Sequence, residues 1–165
     1  MKFNKWVNAS LVIGLLAFGT AAQAALVQCV ANSPVNLLSK VEHAFDCQYL
    51  TPYDSGNVAS IANINNAQFF ATNDWVEIGK TEISGDGQSG TWSVPNPEVN
   101  KYDYIIVFKA GSGTNLVAFR LNLTVGSTGK WTSPFTRPPF DIAGSGAQDV
   151  SHYTIVRRKR VPPPF

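Results

Sequence analysis

Histidine is scarce in this chain, which has His43 and His152 and no others among its 165 residues. Two imidazoles so far apart in sequence leave no material for a histidine-rich metal cluster. Cysteine is equally sparse, with Cys29 and Cys47 alone. Charge is thin at 15% of residues, with no basic surplus wide enough to build a nucleic-acid-binding face. A long apolar run is missing too: Leu11–Gly19 falls well short of the ~20 residues that span a bilayer. No glycine-rich stretch opens a helix, which removes a phosphate-cradling loop. No metal, no cofactor and no nucleic-acid partner is therefore expected.

What is present begins with an export signal. "MKFNKWVNAS" carries Lys2 and Lys5, "LVIGLLAFG" is a short apolar core, and "TAAQA" ends in small residues. That order of segments is a secretory leader over residues 1–24, cut after Ala24. The exported chain is then 25–165, bound for the periplasm or the cell exterior. An even cysteine count in an oxidising compartment predicts a Cys29–Cys47 disulfide, which would stabilise the fold by roughly 3 kcal/mol. Removing Lys2 and Lys5 takes thirteen basic residues to eleven, against eleven acidic ones. Four of those eleven are Arg157, Arg158, Lys159 and Arg160, so residues 25–156 hold 7 basic against 11 acidic, a net of −4. The positive charge thus gathers at the end of a mildly acidic body. It is a candidate polyanion contact, or else a solvated run that ends the last strand and protects its edge.

Along the body, "VNLLSKVEHAF" (35–45) has the apolar spacing of a short amphipathic helix. From Ala67 onward, β-branched and aromatic runs alternate with Gly, Asn, Ser and Pro clusters. Strands are expected near 67–71, 75–81, 90–94, 102–109, 116–123, 129–133 and 151–158. "YDYIIVFKA" (102–110) is apolar on both faces at its middle and should lie at the centre of a sheet, whereas "LVAFRLNL" (116–123) alternates as a half-buried strand does. The predicted fold is all-β, an antiparallel β-sandwich of jelly-roll or immunoglobulin-like kind. It would be a single domain over 25–160, opened by a short helical or irregular disulfide-closed segment and followed by a Pro-rich stub, 161–165. "SGTWSVP" (89–95) and "TGKWTSP" (128–134) echo each other. In both, Gly lets the chain turn in, Trp plugs the core and Pro ends the strand.

Reactive constellations are few. "DVSH" brings Asp149, Ser151 and His152 together in sequence, but neighbours on a strand face opposite ways and should not share a proton. Asp86 in "SGDGQSG" lacks the alternating acids of a calcium loop and suits a hairpin turn. Asp141 and Asp149 are the only acids in the long "FTRPPFDIAGSGAQDV" loop, and a hydrolase would need a cleft with paired carboxylates. "NLT" (122–124) matches a glycosylation pattern but falls in an expected strand. Trp75, Trp92 and Trp131 are candidate glycan-stacking rings, with core packing as the alternative. No catalytic residue is assigned.

Several phrases carry a likeness. "DYIIVFKAGSGTNLVAFRL", "GKWTSPFTRPPF" and "QDVSHYTIVRR", with "FFATNDWVEIGK" and "SGTWSV" before them, resemble the extracellular domain of PEP-CTERM proteins, the exosortase-sorted proteins of Gram-negative bacteria. The likeness spans about 65–160. It implies association with exopolysaccharide and with biofilm or floc matrix, and no known catalytic residues. In such proteins Val-Pro-Glu-Pro precedes an apolar span and a basic tail. Here Val161, Pro162, Pro163 and Pro164 stand at that place, with proline instead of Glu. The expectation is a domain whose sorting signal is missing or truncated, with no stable membrane anchor and no firm exosortase partnership.

Overall fold

The strand "YDYIIVFKA" sits where its two apolar faces demand, in the middle of a sheet with packed layers on both sides. The computed structural model describes residues 24–31 and 35–162. Residues 1–23, which hold nearly all of the expected leader, residues 32–34, and Pro163, Pro164 and Phe165 of the expected stub lie outside the described residues. The strands are β1 (Ala25–Gln28), β2 (Ala44–Thr51), β3 (Val76–Glu82), β4 (Ser89–Ser93), β5 (Tyr102–Ala110), β6 (Val117–Leu121), β7 (Thr128–Thr132) and β8 (Val150–Lys159). One helix, α1 (Ile61–Ala67), and 3₁₀ turns at Leu37–Lys40 and Phe69–Ala71 complete the elements. Six strands form one antiparallel sheet in the order β1-β2-β6-β5-β8-β3, and β4 pairs with β7 in a separate ribbon. The fold is mostly β and antiparallel, with little helix.

Alternation along β5 divides the core in two. Tyr104, Ile106 and Phe108 join Val117, Phe119, Tyr153 and Ile155 on one face, beneath Trp92 and Trp131 of the ribbon. Phe108 packs against Trp131 with ring centroids 5.6 Å apart, so the two sheets face each other across this core. Ile105 and Val107 point the other way, with Ala118 and Val156, and meet Ile64, Phe69 and Trp75. That second face is covered by the helical segment and its flanking coil, a layer absent from a plain two-sheet reading. It also buries Ala118 on the face of β6 that alternation alone marks as polar.

Two local expectations change. The apolar spacing at 35–45 yields only the turn Leu37–Lys40, because Val41 is already extended and bridges to Trp131; His43, in the left-handed region (φ 63°), then directs the chain into β2. Leu37 and Val41 still enter the core, while Phe45 is left 54% exposed. At 67–71 the chain forms the end of α1 and a 3₁₀ turn instead of a strand. Ser60 caps α1 by accepting from the Asn63 N–H at 3.3 Å, and Gln68 ends it in the left-handed region.

The echoed tryptophans find a specific account. In the ribbon Gly90 pairs with Trp131 and Trp92 with Gly129. A Cβ on Gly90 would lie 2.6 Å from Trp131 Cζ2, and one on Gly129 2.7 Å from Trp92 Cζ2. Each glycine makes room for the indole of the opposite strand, rather than turning the chain. "SGDGQSG", similarly, is no hairpin: it carries the chain from the large sheet to the ribbon, with Asp86 Oδ1 accepting from the Gln88 N–H at 2.9 Å.

Candidate functional site

Cys29 and Cys47 are joined in a disulfide, and the Cys29 N–H donates to the Cys47 carbonyl, so the covalent link fastens β1 to β2 at the sheet's edge. Trp75, Trp92 and Trp131 are 3%, 1% and 2% exposed. Their rings belong to the two cores, and as candidate glycan-stacking residues they are corrected: none offers a face to a sugar. Among the described residues, no three His, Cys, Asp or Glu side chains come together as a metal site would need.

Ser151 and His152 do meet, against the alternation argument. Lys109 pairs with His152 and Ala110 with Val150, so Ser151 is the extra residue of a bulge. A bulge re-aims the side chain it carries, and Ser151 Oγ comes 3.0 Å from His152 Nδ1. The polarity of this contact is the reverse of a nucleophile's. The Ala59 N–H donates to His152 Nε2 at 3.0 Å, so that nitrogen carries the lone pair. In the neutral ring the proton is then on Nδ1 and points at Ser151, whose hydroxyl donates to the Lys109 carbonyl at 3.0 Å. A general base would need a bare nitrogen facing the serine and an acceptor behind the ring. Burial, with Lys80 nearby, holds the imidazole below its ordinary range, partly offset by Glu82, and Lys109 adds to the lowering. The ring therefore favours the neutral form that this network uses.

The same region buries a lone amine. Lys109 is 1% exposed, and its Nζ donates to Thr114 Oγ1 at 2.9 Å and to the Thr114 carbonyl at 3.2 Å. Burial pushes its pKa down to about 8, with Asp54 pulling the other way. Thr154 Oγ1 donates to the Ala59 carbonyl at 2.6 Å. His152 and Thr154 thus hold both backbone groups of Ala59, immediately before α1, and the cluster acts as a clamp. Asp149 is turned away to Gln88, and Asp141 lies 3.9 Å from Arg137.

The four terminal basic residues are not a loose tail. Arg157, Arg158 and Lys159 belong to β8, and the Arg160 N–H continues the ladder to the Lys101 carbonyl at 2.9 Å. β3 pairs with β8 only as far as Val76 opposite Arg157, so Arg158, Lys159 and Arg160 stand past the end of β3 on a margin of the sheet. Arg157 lies over the Tyr102 ring at 4.2 Å and 3.8 Å from Glu98. Arg158 reaches Asp74 at 3.8 Å, and Arg160 reaches Asp103 at 3.1 Å. Most of this charge is already matched within the fold.

Where β8 and β6 end and β5 begins, a cleft of about 370 Å³ opens, lined by Phe45, Tyr102, Asp103, Arg120, Asn122 and Arg160 among others. Phe45 reaches it through a second bulge, between Ala44 and Asp46 of β2. No protein family, curated protein or solved structure matches this chain. The cleft must therefore be interpreted from its own chemistry: an exposed aromatic ring, guanidinium groups and one carboxylate. Such a surface is chemically suited to polar rings or anions. Sequence reading overlooked Phe45 and Arg120. It also placed "NLT" in a strand, whereas β6 stops at Leu121 and Asn122 Oδ1 accepts from Thr124 Oγ1 in the following turn.

Proposed function

We propose that this chain is an exported, non-enzymatic protein of the cell-surface or extracellular-matrix type that associates with polysaccharide through the cleft at the β5–β6–β8 end. The observation that carries this reading is a contrast. The serine–histidine pair found among the described residues is tied into a structural clamp in the wrong tautomer, while the exposed Phe45 ring and the Arg120 and Arg160 guanidinium groups line an open cleft. The disulfide fits an oxidising compartment, and no helix among the described residues is long and apolar enough to cross a membrane. Kinship with the extracellular domain of PEP-CTERM proteins belongs to the same proposal and rests on the shared phrases of 65–160. The likeness to jelly-roll or immunoglobulin-type sandwiches extends as far as two antiparallel sheets facing across an apolar core. A row of tryptophans is no longer the binding surface; the cleft replaces it.

Affinity electrophoresis of the purified chain through gels containing acidic or neutral polysaccharides tests this. Retardation by at least one class is the expected result. Unchanged mobility in every gel, with normal matrix in a deletion strain, would remove the proposal.

A further inference from the structure

We propose that the cleft recognises the carboxylate of an acidic sugar unit, with Arg120 as the anchoring cation and the Phe45 ring as the neighbouring apolar surface. This rests on the polysaccharide-binding reading and adds the ligand's chemical class and its principal contact.

Arg120 differs from the other guanidinium groups near this end of the sheet. Arg157 is matched to Glu98, Arg158 to Asp74, Arg160 to Asp103 and Lys101 to Glu98. Arg120 has no carboxylate within 4.0 Å among the described residues. Its cross-strand partner is Asp46, but that carboxylate accepts from Gln28 instead. The guanidinium is nevertheless held in place. It lies over Phe45 at 5.2 Å and over Phe70 at 5.4 Å, so two aromatic rings fix its plane. A half-buried, oriented fork of N–H donors with no protein acceptor, lining a cleft, is suited to a bidentate oxyanion. An anion would also supply the missing counter-charge.

The cleft's size and walls narrow the class. Its volume lies within the ~300–1,000 Å³ of small-ligand sites, more than a bare ion fills. Phe45 leaves apolar ring surface open to solvent, and the Asp103–Arg160 pair offers both an acceptor and donors to hydroxyl groups. Carboxylate, ring face and hydroxyls together describe a uronic-acid-type unit within a chain.

The test is calorimetric titration of the full exported chain with oligogalacturonate, with its carboxyl-reduced neutral counterpart, and with inorganic phosphate. Wild-type protein should bind the acidic oligomer about tenfold or more tightly than the reduced one, the scale of a charge-assisted hydrogen bond. Arg120→Gln should abolish that preference. Arg120→Lys should lose most of it, because a point charge cannot replace the planar fork. Circular dichroism and melting temperature report whether each variant folds, and the wild-type comparison stands without them. Equal binding of the acidic and reduced oligomers, or a preference unchanged in folded Arg120→Gln, overturns the anchor while leaving polysaccharide binding intact. Phosphate binding as tight as the oligomer's overturns the sugar class. No binding to any saccharide, acidic or neutral, fells both readings.

Discussion

At the scale of single residues, the ribbon's glycines are the sharpest case of sequence dictated by a neighbour. Gly90 and Gly129 lie against Trp131 and Trp92, where a methyl group would overlap ring atoms. Gly90→Ala and Gly129→Ala should each destabilise the protein by ~1–3 kcal/mol, the cost of overpacking a core. Gly146→Ala, at a position with open space around it, should be neutral in the same denaturant melts. Lys109 gives a pH signature. Its folded pKa of about 8 lies below the ordinary 10.5. Between those values the unfolded chain holds the proton and the folded chain releases it, so this residue makes stability rise with pH from about 8 to 10.5. In Lys109→Met that rising component should vanish, as denaturation midpoints measured across the range would show.

Among the elements, the clamp on Ala59 responds to acid. Protonating His152 puts a second donor against the Ala59 N–H and adds charge beside Lys80 and Lys109. The folded pKa is depressed below 6.5, so stability falls as pH drops below that value, and the loss is complete once the folded pKa is passed. His152→Gln, which retains an acceptor, should flatten that acid limb of the stability profile. The edge strand β1 behaves differently. Four paired residues and one disulfide hold it. Replacing both cysteines by serine should cost ~3 kcal/mol. Hydrogen exchange in β1 should then quicken first, with β5 and β8 still protected.

These elements also show what the sequence made legible. β4 through β8 were readable because their alternation runs unbroken or nearly so, and β5 because both its faces are apolar. β2 was not, since the bulge at Phe45 shifts the alternation at the very start of "AFDCQYLT". α1 was hidden by its brevity and its asparagines, although Ser60 three residues before Asn63 and the Ile61–Ile64 spacing were a faint cue. The same limit governs the sites. Ser151 and His152 meet through a bulge that no period predicts, and the cleft joins residues near 45, 102, 120 and 160, which only strand order brings together.

On the scale of the whole molecule, the arrangement separates holding from binding. The face of the large sheet under α1 carries the buried polar clamp, the face under the ribbon is packed with aromatic side chains, and the strand ends left open gather the cleft. A mildly acidic body keeps an unneutralised guanidinium at one end, which is what the proposed anion site requires. The measurement that tests this most directly is an amide and side-chain NMR titration of residues 25–165 with an acidic oligosaccharide. Shift changes confined to Phe45, Tyr102, Arg120, Asn122 and Arg160, with Ser151 and His152 unmoved, are the result this account predicts. Shifts centred on the Ser151–His152–Lys109 cluster, or none anywhere at saturating oligosaccharide, would contradict it.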